Sequence, residues 1–89
     1  MPRIAFTPNL QRHVACPPTT VTGATVREAL ARMFVEHPRL EGYLLDDEGR
    51  LRKHMVVFVD GAPARDRDGL TDPVAESSQI LVMQALSGG

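Results

Sequence analysis

The sequence predicts a mixed α+β fold, and three observations carry that reading. Residues 25–36 hold an apolar stripe at helical spacing. Residues 55–59 and 80–86 are β-branched and aliphatic runs too short for globular helices, and Asp60-Gly61 is strong hairpin-turn chemistry. At 89 residues there is room for one modest core, so one sheet crossed by one helix is the economical arrangement.

The elements follow in chain order. Arg3 to Thr7 alternates polar and apolar residues, with Ile4 and Phe6 on one side, and stops at Pro8-Asn9, which reads as a strand and a turn. His13 to Cys16 is read as a returning strand, halted at Pro17-Pro18 because proline has no amide hydrogen for the ladder, with Thr19 to Thr22 resuming it. Thr25-Val26-Arg27-Glu28 is a capping box that starts a helix: the threonine oxygen takes the Glu28 amide and the glutamate reaches back. Val26, Ala29, Leu30, Met33 and Phe34 then form one apolar stripe, and His37-Pro38 ends the helix because the residue before proline is pushed out of the helical region.

Beyond it, Arg39 to Gly42 reads as a connector and Tyr43-Leu44-Leu45 as a short apolar segment. Asp46 to Gly49 reads as a turn in which Gly49 can take a positive φ. Met55 to Val59 reads as a central strand, Ala62 to Arg65 as its short partner, and Asp66 to Pro73 as a polar stretch with one helical turn around Leu70. Ile80 to Leu86 is the last strand and runs straight into Ser87-Gly88-Gly89. A hairpin, a crossing helix and a C-terminal strand that lies centrally beside the first are what a β-grasp fold requires. Residues 1–89 are expected to be one such domain with a flexible tail over 87–89.

Composition narrows the function classes. Ten Lys+Arg against 11 Asp+Glu give a net charge of -1, scattered along the chain, which offers no basic field for nucleic acid. The single cysteine, Cys16, excludes an intramolecular disulfide and a cysteine-rich zinc site, and the N-terminus lacks the apolar core of a signal peptide. No run approaches membrane-spanning length, so a cytoplasmic protein with no membrane partner is expected. A stand-alone enzyme is disfavoured, since no nucleophile-base or metal constellation is visible.

The most informative feature is the ending on Gly88-Gly89, which chance would produce in roughly 0.5% of chains at ordinary glycine usage. It can be a plain tail. Directly after a strand, however, two residues without side chains make a thin strip that can thread a narrow channel and place a carboxylate at a distant active site.

His54-Met55-Val56-Val57-Phe58-Val59-Asp60-Gly61, the polar loop after it, and Ile80 to Gly89 resemble the ThiS and MoaD family of ubiquitin-like sulfur carriers, and the longer, CysO-like members in particular. Leu86-Ser87-Gly88-Gly89 matches that family's usual ending; Ser77-Ser78 and Gln84 depart from its Gly-Asp and proline. The resemblance implies that an activating enzyme, similar to those that charge ubiquitin, uses ATP and magnesium to adenylate the Gly89 carboxylate. A sulfur donor then converts it to a thiocarboxylate, which donates sulfur to a metabolite held by another biosynthetic enzyme. The chain would be a protein co-substrate that binds no cofactor itself, with Gly89 and Gly88 as the reacting terminus.

Leu81 and Met83 alternate with Ile80 and Val82, so if the latter pair faces the helix, the former lies on the opposite sheet face and, with Leu86 and Ser87, is expected to meet partners. Other residues carry less. His13, His37 and His54 stand singly, without metal-ligand spacing, and Cys16 has no neighbouring base in sequence. Asp66-Arg67-Asp68-Gly69 lacks the rest of a calcium loop. Arg50, Arg52, Lys53 and His54 are a local basic run that either docks an acidic partner or faces water. The competing function is a ubiquitin-like binding module whose glycines never carry sulfur.

Overall fold

The structure is a computed structural model in which residues 1–7 and 18–84 are described. Five strands form one mixed sheet: β1 (Arg3–Phe6), β2 (Thr19–Thr20), β3 (Met55–Val59), β4 (Ala62–Pro63) and β5 (Gln79–Gln84), in the order β2-β1-β5-β3-β4. Strand β5 is central. It runs parallel to β1, with Ile4 opposite Ile80 and Phe6 opposite Val82, and antiparallel to β3, with Val57 opposite Val82 and Met55 opposite Gln84. Strand β2 is antiparallel to β1, Ile4 opposite Thr19, so the first hairpin, the crossing helix and the central final strand are those of a β-grasp fold.

Helix α1 (Val26–Glu36) lies on one face of this sheet because its stripe is the most apolar surface available to cover it. Val26, Ala29, Leu30 and Met33 are buried against Ile4, Phe6, Met55, Val57, Ile80 and Val82, and Phe34 packs at the edge of the same core. The capping box forms with one change: Thr25 Oγ1 accepts the Glu28 amide at 3.2 Å, while Glu28 Oε1 accepts the amide of Ala24 at 3.1 Å. Residue 23 must be glycine-sized, since a Cβ there would stand 2.7 Å from the Ala29 nitrogen at the start of α1.

His37 caps α1 as its proline neighbour requires, but the residues after it are not a connector. Pro38 opens a second helix, α2 (Pro38–Leu44), because a proline at the first helical position loses only an amide that has no partner there. Leu40 and Leu44, one turn apart, are both fully buried, and it is their burial that holds this short helix in place despite Gly42. The apolar segment at 43–45 therefore belongs to α2 for Tyr43 and Leu44, and only Leu45 makes a strand-like bridge, to Leu51.

The turns match the residue types. Between β3 and β4, Asp60 (φ 51) and Gly61 (φ 88) both take positive φ in a two-residue loop, the pattern of a type I′ hairpin that suits the twist of the strands it joins. Strand β4 is two residues long, shorter than the expected Ala62 to Arg65: Ala64 still gives its amide to the Val57 carbonyl at 2.8 Å, but Arg65 and Asp66 turn theirs to the Asp72 carboxylate at 2.8 and 2.9 Å. The stretch after it makes a hydrogen-bonded turn, Leu70 amide to Asp66 carbonyl at 2.8 Å, and Leu70 stands in the left-handed region (φ 54) with its side chain 0% exposed. For a leucine that conformation costs on the order of 1 kcal/mol, less than its burial returns.

Just before β5, Ser78 is buried and its Oγ accepts the Ala75 amide at 2.8 Å, while its carbonyl accepts the Arg3 amide at 3.0 Å. A serine thus builds this turn where the family resemblance led to Gly-Asp. The expected strand over residues 13–16, with His13 and Cys16, lies outside the described residues; its continuation at Thr19–Thr20 is β2.

Candidate functional site

The site is built around the central strand and the sequence that comes after it. Strand β5 is paired on both sides: Thr7 donates its amide to the Val82 carbonyl at 3.2 Å, and Gln84 still faces Met55 across the ladder to β3. The chain therefore arrives at Ala85 from the middle of the sheet, on a root held by two neighbours. Gly88, Gly89, Leu86 and Ser87, the expected reacting terminus and its flank, lie outside the described residues.

Alternation along β5 separates two faces. Ile80 and Val82 are buried beneath α1, whereas Leu81 is 37% exposed and Met83 is half-buried on the other side. The neighbouring strands complete that outer face. Leu81 lies between Ala5 of β1 and Phe58 of β3, with Pro63 of β4 beyond Phe58, and Met83 lies opposite Val56. Ala5, Phe58, Gly61, Gln79 and Leu81 line a shallow depression there. Leu81 and Met83 are thus brought together as expected; Ala5, Val56 and Phe58 were missed as companions. Their signal was the same period-two alternation, but it needs the register between strands before it places them side by side.

The polar groups nearby serve the fold. Among the described residues no three histidine, cysteine or acidic side chains are grouped as metal ligands. Asp66 is held below the ordinary aspartate range by the Thr71 hydroxyl at 2.6 Å and the Gly69 amide at 2.8 Å, so its oxygens are occupied by donors and the partial calcium-loop motif is a stapled turn. Asp72 is lowered by the Arg65 amide and then that of Asp66, and Asp46 chiefly by the Arg50 amide. Lowered carboxylates of this kind stay ionised at neutral pH and make poor general acids.

The basic run 50–54 does not act as one patch. Arg50 pairs with Glu48 at 2.9 Å and with Asp46 at 3.7 Å; Arg52 Nε donates to the Gly42 carbonyl at 2.9 Å; Lys53 and His54 are exposed in a turn. Across the molecule Arg27 binds three carbonyls, of Gly69 (2.6 Å), Gly49 (2.7 Å) and Asp68 (3.1 Å), tying α1 to two loops. No helix among the described residues is long and apolar enough to cross a membrane.

A five-stranded mixed sheet in this order, with a helix across one face and a glycine-ended sequence after its central strand, defines the ubiquitin-like β-grasp class. The chain belongs to the ThiS family, whose model matches residues 17–89, a family of ubiquitin-like sulfur carrier and modifier proteins. A chain of the BexX/CysO complex of Amycolatopsis orientalis is similar in fold, with TM-score 0.83, 22% identity and all of both chains covered. SAMP1 from Haloferax volcanii superposes with TM-score 0.78 and 26% identity over 99% of this chain and 98% of that one. CysO of Mycobacterium tuberculosis gives TM-score 0.81 and 16% identity, covering 97% and 100%. A comparison with curated proteins found no match.

Proposed function

We propose that this chain is a sulfur carrier whose Gly89 carboxylate is adenylated by an activating enzyme and then converted to a thiocarboxylate that donates sulfur in a biosynthetic reaction. The observation that carries the reading is the position of β5: a central strand, paired with β1 as far as Val82 and with β3 as far as Gln84, followed directly in sequence by Ala85-Leu86-Ser87-Gly88-Gly89. Five residues extended from a fixed root reach about 17 Å, enough to carry a carboxylate into a buried active site of a partner while the folded domain stays outside. Gly88 and Gly89 make the end of that strip narrow.

A carboxylate is a poor electrophile, and forming the mixed anhydride with AMP supplies a leaving group. Sulfide then attacks the Gly89 carbonyl carbon, the carbon–oxygen bond to AMP breaks, and the thiocarboxylate remains; a persulfide donor gives an acyl disulfide instead, which a thiol must cleave, leaving the thiocarboxylate and a disulfide on the donor. ATP and magnesium act in the activating enzyme, and this chain contributes the terminus and a surface to hold. For that surface we assign the outer sheet face, Leu81 and Met83 with Ala5, Val56 and Phe58, because it is apolar, partly exposed and beside the root of the tail, together with Leu86 and Ser87, which come next in sequence. Fold relatives occurring in a complex, as in the BexX/CysO structure, support a partner-docked role.

The test is direct. Incubation with the activating enzyme, Mg-ATP and sulfide should raise the intact mass by the difference between sulfur and oxygen, and hydroxylamine should trap the adenylate as a hydroxamate at Gly89. Absence of both species would leave the chain a binding module with a glycine tail.

A further inference from the structure

The two edges of the sheet are finished differently. At the β4 edge the Ala64 amide turns inward to the Val57 carbonyl, so Pro63, its neighbour, faces outward, and a proline has no amide to give a further strand. At the β2 edge the outward groups are free. The Val21 amide turns inward to the Pro2 carbonyl at 3.0 Å, so by the alternation of an antiparallel ladder Thr20 directs its amide and carbonyl away from β1, and Thr22 follows it. Both threonines are exposed, and among the described residues those groups have no hydrogen-bond partner. Residues 19–22 are all β-branched and uncharged, with neither of the devices, a charge or a proline, that usually blunt an edge.

Helix α1 runs beside this edge and leaves an apolar residue uncovered there. Val35 is 75% exposed, and with Arg32 and Glu36 it lines a groove whose other wall is Thr20, Val21 and Thr22. Arg32 and Glu36 are one helical turn apart, and neither has an ion pair among the described residues. An apolar groove with an unpaired cation and an unpaired anion along one wall is complementary to itself, because a two-fold rotation brings each charge to the other's place.

We propose that the β2 edge is a self-association site at which two copies of this chain pair β2 against β2, antiparallel about a two-fold axis at Val21. Thr20 and Thr22 of one copy exchange amide-to-carbonyl bonds with Thr22 and Thr20 of the other, Val35 of each is covered by the other's edge, and Arg32 of each faces Glu36 of the other. A contact of this length buries less than the roughly 1,200 Å² of stable complexes, so the dimer is reversible, with a dissociation constant on the order of 0.1 to 1 mM. It leaves the tail free. Thr20 is opposite Arg3, and Arg3 is opposite Gln79 at the start of β5, whereas the tail follows Gln84, about 17 Å further along that strand. The two tails therefore leave at opposite ends of the joined sheet, and the inference stands independently of the carrier reading.

The experiment is a dilution series of the full chain from about 10 µM to about 1 mM, a range that brackets the expected constant, followed by sedimentation and by amide NMR. Mass should rise from one chain toward two, and the amide signals of Thr20, Val21 and Thr22 should move with concentration while those of Leu81 and Met83 stay still. Thr20→Pro removes an outward amide that no group in the chain uses and should keep the protein monomeric throughout. Arg32→Glu and Glu36→Arg, on the exposed face of α1, should each weaken association several-fold, and mixing the two variants should restore it, because each then meets the opposite charge; this arm decides the matter if the proline variant does not fold. A chain that stays monomeric at the highest concentration overturns the inference, even where an extended peptide from another protein is found to take the edge. So does a dimer whose shifts fall on Leu81 and Met83, or one that neither Thr20→Pro nor the charge variants disturb.

Discussion

Met55 stands opposite Gln84 in the ladder between β3 and β5, which fixes the point where the central strand gives way to the C-terminal sequence. On the other side of the same strand, the Thr7 amide reaches the Val82 carbonyl. The strand that leads to the tail is therefore held on both sides as far as Val82 and by β3 alone at Met83 and Gln84 among the described residues. The core behind it is made by Ile80 and Val82, and the surface before it by Leu81 and Met83. One strand thus turns one face to the core and the other outward.

The first prediction concerns the inner face. Leu30 is buried at the centre of the α1 stripe, so Leu30→Asp places a carboxylate among Ile4, Met33 and Val57 with no partner and should cost about 3 kcal/mol or more. In a domain this small that is a large share of total stability. Urea unfolding should show a much lower midpoint or no folded baseline; an unchanged midpoint would mean the stripe is not core.

How much of this was legible in the sequence differs by element. Helix α1 was readable because the capping box and the five-residue stripe agree, and the Asp60-Gly61 turn because few other pairs tolerate two positive φ values. Helix α2 was not, because seven residues interrupted by Gly42 give no sustained period and its evidence is tertiary: Leu40 and Leu44 need a core to fill. Leu70 was legible as part of a turn but not as core, since nothing local marks a leucine with positive φ. Of the site, alternation gave Leu81 and Met83, whereas Ala5, Val56 and Phe58 join them only through strand register, a long-range property.

Arg27 supplies a second stability test. Its guanidinium fork reaches the carbonyls of Gly69, Gly49 and Asp68 at once, a geometry that a single ammonium cannot reproduce. Arg27→Lys, nominally conservative, should lower stability by about 1 to 2 kcal/mol, the discount from larger values reflecting its exposed setting. Hydrogen exchange should quicken at the amides of residues 46–51 and 66–71 and stay slow in β5; uniform behaviour across both loops and sheet would show that the arginine is not their tie.

Acid should act through the stapled turns. Asp46, Asp66 and Asp72 are all lowered in the folded chain, by the Arg50 amide, the Thr71 hydroxyl and the Arg65 amide respectively. A carboxyl lowered by folding adds stability that is fully present above its unfolded pKa and is lost as pH falls through the folded value. Melting temperature should therefore hold level down to about pH 4 and decline below it. Asp66→Asn, which keeps an acceptor but removes the charge, should flatten part of that decline; an identical acid profile would remove Asp66 from the account.

On the outer face, Leu81→Asp tests docking apart from folding. The side chain is 37% exposed and faces away from α1, so the change costs only the strand preference and cross-strand packing, about 1 kcal/mol. Far-UV dichroism should be unchanged, while binding to the activating enzyme, read by calorimetry, should weaken at least tenfold because a charge is placed in an apolar contact. Met83→Asp should behave alike. Wild-type affinity in both variants would move the docking surface to another part of the molecule.

The final prediction isolates the terminus. The buried side chains that form the described core run from Ile4 to Val82, so the fold is complete before Gly88 and Gly89 are reached. Deleting Gly89, or adding one residue after it, should leave the melting curve within error of wild type, since terminal residues outside a core contribute little to stability. The chemistry should respond in the opposite way. On the adenylation reading, removing Gly89 leaves a Gly88 carboxylate about 3.5 Å short of its place and extension carries the carboxylate about as far beyond it, in either case too far for attack on the α-phosphate of ATP held in a fixed site. Neither variant should give a hydroxamate with hydroxylamine or a thiocarboxylate with sulfide, under conditions where wild type gives both. A truncated chain that supports sulfur transfer as well as the full one would show that the glycines are a tail and that the fold acts as a binding module.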